Sequence, residues 1–107
     1  MASFEDREKG FEAKYKHDQE KLFKITARRN KLLGLWAAGQ MGLSGDAAEA
    51  YAKTVVQSDF EKPGHDDVIE KVLKDLTGKG VAVTDHKIRA EMARLMAEAE
   101  QQINAQK

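Results

Sequence analysis

The sequence has no cysteine, a single proline and few aromatic residues, which make up 7% of its 107 positions. Without cysteine the chain forms no disulfide, and it offers no thiolate for catalysis or for metal binding. No run of about 20 apolar residues occurs, so no segment is expected to cross a membrane. The formal net charge is zero, which argues against a surface dedicated to nucleic acid.

The length and the start of the chain limit its class further. A chain of 107 residues supports one domain and excludes barrels and doubly wound sheets, which are larger. The first seven residues lack the basic segment and apolar core of a secretory signal. We therefore expect a cytoplasmic, single-domain protein.

The residues that are abundant predict an all-α fold. Alanine, glutamate, lysine and leucine favour helices, and alternating β-branched residues are scarce. Four helices are expected, over Phe4 to Gly39, over roughly 45 to 59, from Asp66 or Asp67 to Gly78, and after a Thr84-Asp85 cap. Because the connections are short, sequential helices should be antiparallel neighbours in a four-helix bundle.

The first helix has two parts of different character. Apolar residues recur at four- and three-residue steps, which is typical of a heptad stripe. Within residues 20 to 38 this stripe includes Leu22 and Phe23, and it is rich enough to pack on a core. The residues before it are mostly charged and bury too little apolar area to offset an ordering cost of about 1 to 2 kcal/mol per residue. We predict a partly disordered N-terminal arm over residues 1–18 and a bundle over residues 19–107.

The arm carries three aromatic residues, Phe4, Phe11 and Tyr15, at spacings of seven and four. Helical ligands that bind in a groove place their anchors at such spacings. A solvated flexible terminus is the competing interpretation. Three exposed aromatic residues on an otherwise polar segment favour a role in binding a partner.

Residues that could carry chemistry are few. His65, Asp66 and Asp67 are of the types that bind metal, but adjacent residues rarely point to one centre, and aspartate at a helix start has an ordinary capping role. We therefore expect neither a metal site nor an enzyme. Arg28 and Lys31 share one face of the first helix and could bind a nucleotide phosphate, although solvent exposure is favoured.

Arg29 differs from these neighbours because the heptad frame places it in the apolar stripe. An arginine there should either extend its charged end outward to solvent or pair with a carboxylate.

Several blocks of the sequence together resemble one known family. They are Phe4 to Glu8, Glu12 to Tyr15 with His17-Asp18, Ala27 to Ala38, and Tyr51 to Lys53 through Ser58 to Phe60. The block from Ala27 to Ala38, which contains Arg-Arg-Asn and Trp-Ala-Ala, is the most specific. In these blocks the chain is similar to the zeta subunit of alphaproteobacterial F-type ATP synthases, and the similarity spans nearly the whole chain.

The resemblance implies a non-catalytic inhibitor of ATP hydrolysis by the F1 head. The arm would fold into an interface between catalytic subunits, functionally like the mitochondrial inhibitor protein. The expected partners are the alpha, beta and gamma subunits, and the protein would be cytoplasmic, peripheral to the inner membrane through ATP synthase, and monomeric when free. Carried onto this sequence, the arm contacts are Phe4, Arg7, Glu8, Phe11, Glu12 and Tyr15.

No cofactor is expected, although some members of the family bind ATP or ADP weakly, and Arg28 and Lys31 are the candidate residues for such binding. The alternative function is a helical nucleotide-binding or protein-interaction module without inhibitory activity.

Overall fold

The four helices are connected by short turns in the computed structural model, which describes residues 4–61 and 64–105, with side chains from residue 19 onward. Their bounds are Phe4–Gln40 for α1, Gly45–Glu61 for α2, His65–Gly78 for α3 and Asp85–Ala105 for α4. The described residues include no strand. The predicted all-α, four-helix fold is confirmed.

The end of α1 is fixed by a glycine in the left-handed region. Gly42 has a φ of 79°, a backbone conformation that other residues rarely adopt. The Leu43 N–H donates to the Ala38 carbonyl at 2.8 Å, and the Gly42 N–H donates to the Gly39 carbonyl at 3.1 Å. These two bonds form a Schellman motif, which satisfies carbonyls that the helix end would leave unpaired.

The turn between α3 and α4 repeats this arrangement. Gly80 also has a φ of 79°, and the Val81 N–H donates to the Leu76 carbonyl at 2.9 Å. The next helix then begins with a side-chain cap, because the Thr84 hydroxyl accepts from the Lys87 N–H at 3.1 Å. The predicted Thr84 cap and the predicted end of α3 are therefore confirmed.

The core lies among all four helices, and α1 contacts each of the other three. Buried apolar residues recur at helical spacing on every element, as the predicted stripes require. The main core cluster consists of Leu33, Ala37, Val55, Val68, Ile69, Val72, Leu76, Ile88, Met92 and Leu95, and Trp36 packs against it.

Helix α1 approaches α2 closely at Gly34. A Cβ atom placed on Gly34 would lie 2.6 Å from the Ala52 Cα and 3.2 Å from the Val55 Cγ2. Only a glycine leaves room for the two backbones at this distance. At Gly34, therefore, α1 and α2 meet through small residues.

Helices α2 and α3 are joined by a polar contact beside the core. The Tyr51 hydroxyl donates to Asp75 Oδ2 at 2.8 Å, and the Lys71 ammonium donates to the same oxygen at 2.9 Å. Burial, together with the hydrogen bond to Asp75, raises the pKa of Tyr51, so its hydroxyl stays protonated and keeps donating.

The N-terminal part of α1 extends past the other helices. With 37 residues, α1 is about 55 Å long, whereas α2 with 17 residues is about 26 Å long. Residues 19–24 are exposed, and Ile25, which is 7% exposed, is the first buried residue of α1 among those whose side chains are described. The prediction that Leu22 and Phe23 pack on the core is wrong, because α1 at that level is no longer covered by the bundle.

None of the helices in the described ranges combines the length and the apolarity that a membrane-spanning helix requires.

Candidate partner-binding site

The predicted arm contacts lie on the first turns of α1. Helix α1 begins at Phe4, so the described backbone carries Phe4 to Tyr15 in register with the rest of the helix. At 3.6 residues per turn, positions 4, 11, 15 and 22 fall within about 20° of one line along the helix. The side chains of residues 1–18 lie outside the described part, as does the predicted disorder of the arm, so the roles of Phe4, Arg7, Glu8, Phe11, Glu12 and Tyr15 stay predictions.

The root of the arm carries an apolar patch. Leu22, Phe23 and Phe60 are 54%, 57% and 58% exposed, and we call these three residues the root patch. The rings of Phe23 and Phe60 are 5.4 Å apart between centroids and are inclined by 51°. This tilted geometry is favourable for two aromatic rings, so α1 and the end of α2 present one joint surface.

The two candidate phosphate-binding residues contact different helices. The Arg28 guanidinium donates to the Gln102 Oε1 of α4 at 3.1 Å. The Lys31 ammonium lies 3.9 Å from the Glu49 carboxylate of α2, in a pair that is about half exposed on both sides. Nucleotide binding by Arg28 and Lys31 stays a prediction, and the structure gives each residue a partner of its own.

A shallow groove lies between α1 and α2 beside Lys31, with a volume of about 300 Å³. Its lining consists of Lys31, Glu49, Ala52, Lys53, Val56 and Gln57. Arg28 is not part of the lining. The negative charge of Glu49 offsets part of the positive charge of Lys31 and Lys53, which disfavours a strongly anion-selective site.

Arg29 is buried inside the bundle, and its partners are neutral groups. The side chain is 2% exposed, and its Nε and Nη2 donate to Asn30 Oδ1 at 3.2 and 2.9 Å. Its Nη1 lies 2.8 Å from His65 Nδ1, at the start of α3. A hydrogen bond at this distance requires His65 to accept, because Arg29 has only donors.

This arrangement corrects both predicted outcomes for Arg29, since the side chain neither reaches solvent nor forms an ion pair. Burial lowers the pKa of Arg29, and the negative charge of Asp59 partly offsets the effect. Asn30 is 1% exposed, and its Nδ2 has no hydrogen-bond partner. The cluster of Arg29, Asn30 and His65 thus joins α1 to the start of α3 at a cost in desolvation.

The residues that suggested a metal site have other contacts. His65 faces Arg29, and Asp66 pairs with Arg89 of α4 at 2.9 Å. Within the described residues, no three His, Asp or Glu side chains come together in a group that could hold a metal ion.

Comparison with known proteins gives the family. The family model described as ATPase inhibitor subunit zeta matches residues 1–102. The chain belongs to this family. A protein whose structure was solved by solution NMR is 50% identical to this zeta-family chain with a TM-score of 0.70, and the match covers 79% of this chain and 96% of that one. Comparison with curated proteins gives no match.

Membership in the zeta family confirms the resemblance found in the sequence and supports an inhibitory role toward an ATPase. The matched residues include the whole predicted arm. Two features of this zeta-family chain were not predicted from its sequence, namely the contact of His65 with Arg29 and the pairing of Phe60 with Phe23. Both join residues that lie more than 35 positions apart, and the periodicity of a single helix carries no signal for such contacts.

Proposed function

We propose that the protein inhibits ATP hydrolysis by the F1 head of an ATP synthase through residues 1–18. The arm enters an interface between catalytic subunits, reaching the alpha, beta and gamma subunits, while the bundle stays outside. The protein acts as a regulatory subunit rather than as an enzyme. It is cytoplasmic, and it is held at the inner membrane through ATP synthase.

The observation that carries this proposal is the family match, which extends from the first residue of the arm through the bundle. The structure adds a physical reason. Because α1 runs from Phe4 to Gln40, a helical arm is a direct extension of a helix whose other end is buried among α2, α3 and α4. Once helical, the arm is therefore joined to the bundle without an intervening loop.

The composition of the arm suits a polar crevice that opens only in some states of a partner. Acidic and basic residues are mixed along it, so paired contacts within a protein interface are favoured. A segment that orders on binding gives up about 2 to 5 kcal/mol of its interaction energy. The bundle offsets part of this loss, because tethering raises the local concentration of the arm.

The proposal is tested by titrating the F1 ATPase with the wild-type chain and with the triple variant Phe4→Ala, Phe11→Ala, Tyr15→Ala. The variant removes the anchors on one line of the arm, so inhibition should be lost even at saturating concentration. The matched control is Asp6→Ala with Lys9→Ala, which keeps the net charge and changes the opposite side of the helix. Equal inhibition by the triple variant and by the wild type would refute the arm as the inhibitory element.

A further inference from the structure

We propose that the root patch, Leu22 with Phe23 and Phe60, binds an apolar surface of the F1 head beside the crevice that takes the arm. This inference rests on the proposed function and extends it, because it assigns a second contact to the bundle itself. The patch then strengthens binding to the F1 head and prolongs the time for which the arm stays bound.

The position of the patch on the helix is the first support. Ile25 is buried, but Leu22, three residues earlier, is 54% exposed. Leu22 also falls within about 20° of the line through positions 4, 11 and 15. The side of α1 that faces the core in the bundle therefore continues toward the arm without a cover from this chain.

The pairing of the two phenylalanines is the second support. Phe23 comes from α1 and Phe60 from the last turn of α2, and their rings lie 5.4 Å apart. Each ring covers one side of the other and still leaves more than half of its residue exposed. Aromatic side chains have few rotatable bonds and lose little entropy on binding, and phenylalanine is among the residues enriched in protein interfaces.

The area of the patch decides which occupant fits. The three residues together expose on the order of 300 Å² of accessible surface. A stable interface between two separate proteins buries about 800 Å² of accessible surface on each side. A second copy of the chain would bury too little surface at this patch alone to form a stable dimer. A partner already held by the arm needs no more than this, because the arm supplies the rest of the interface.

The arm of the same chain is also a poor occupant. When the arm is helical it covers neither Leu22 nor Phe23, because α1 is continuous from Phe4 through Leu22 and leads the arm away from both residues. The surface that the patch can reach once the arm is bound is the part of the F1 head beside the crevice. This part of the F1 head must be apolar to bind the patch.

The experiment compares the full-length wild type with the double variant Phe23→Gln, Phe60→Gln in titrations of F1 ATP hydrolysis. The matched control is Lys24→Ala with Glu61→Ala, which changes the exposed neighbour of each phenylalanine and keeps the net charge. The arm triple variant is measured alongside. Thermal unfolding shows whether each variant is folded. Sedimentation at the assay concentration gives the oligomeric state of each protein.

The patch variant should require about tenfold more protein, or a larger excess, for half-maximal inhibition, and it should still inhibit fully at saturation because its arm is intact. An unchanged half-maximal concentration in a folded patch variant would refute the patch while the arm proposal stands. A wild type that does not inhibit would overturn both. Should the wild type sediment as a dimer and the patch variant as a monomer, the occupant is a second copy and the inference is wrong.

Discussion

Replacement of Gly34 by alanine tests the packing of α1 on α2, which holds the bundle that supports the arm. An added Cβ would lie 2.6 Å from the Ala52 Cα and 3.1 Å from the Ala52 Cβ. The nearer atom belongs to the backbone, so it cannot move aside by changing a rotamer. Helix α1 or α2 must shift instead.

Two opposing effects determine how much Gly34→Ala changes the free energy of unfolding. Alanine in a helix interior is favoured over glycine by about 1 kcal/mol. Overpacking of a close interface costs about 1 to 3 kcal/mol, and a clash with backbone belongs at the upper end of that range. The net expectation is a loss of about 2 kcal/mol, which corresponds to a melting temperature lower by about 10 °C for a chain of this size.

The assay is urea unfolding followed by helical circular dichroism, with Gly39→Ala as the matched control. Gly39 lies in the same helix, and an added Cβ there would meet no atom within 4 Å apart from the neighbouring backbone of α1. The control should gain up to about 1 kcal/mol from helix propensity alone. A Gly34→Ala variant as stable as Gly39→Ala would refute the close-approach account of the α1–α2 interface.

Four further substitutions, at three positions, test polar contacts of the described residues. Arg29→Ala should lower the free energy of unfolding by about 3 kcal/mol and Arg29→Met by less, because methionine keeps most of the volume without the charge; equal losses in denaturant titrations would contradict this. Tyr51→Phe should cost about 1 kcal/mol through its lost hydrogen bond to Asp75, and an unchanged unfolding midpoint would contradict the contact. The hydrogen bond from Arg94 lowers the pKa of Glu91 in the folded chain, so its stabilisation is present above the ordinary pKa of a glutamate and is lost as the pH falls through the lowered value. Glu91→Gln should therefore destabilise the protein at pH 7, and its difference from the wild type should shrink as the pH is lowered; a difference that does not change with pH would contradict this.

The sequence predicted the helices well because their signals are local. Apolar spacing marks the buried faces, and the helix ends follow from Gly42, Gly80 and Thr84, each of which acts through its own backbone or an adjacent N–H group. Such signals need no knowledge of the partner helix. Both ends of α2 and α3, the end of α1 and the start of α4 were therefore located to within a few residues.

The extent to which α1 is covered could not be predicted in the same way. The apolar spacing places Leu22 on the same stripe as Ile25, but whether Leu22 and its neighbour Phe23 are buried depends on where α2 and α3 end in space. A periodic pattern gives the apolar face of a helix and not the length over which another helix covers it.

The buried cluster at Arg29 was missed for a related reason. The frame correctly placed Arg29 on the inner face, but its partner His65 lies 36 positions away in the chain. His65 drew attention only through its two adjacent aspartates, which suggested a metal site. A contact between a helix interior and the first residue of another helix has no sequence signature of its own.

The central claim, that residues 1–18 are the inhibitory element, is tested most directly by removing these residues and measuring ATP hydrolysis by the F1 ATPase. The deletion removes none of the buried residues described here, the first of which is Ile25, so the shortened chain should keep its cooperative unfolding transition. The account predicts that the shortened chain no longer inhibits at concentrations at which the full chain inhibits completely. Equal inhibition by a folded chain of residues 19–107 would contradict the account and would place the inhibitory surface on the bundle.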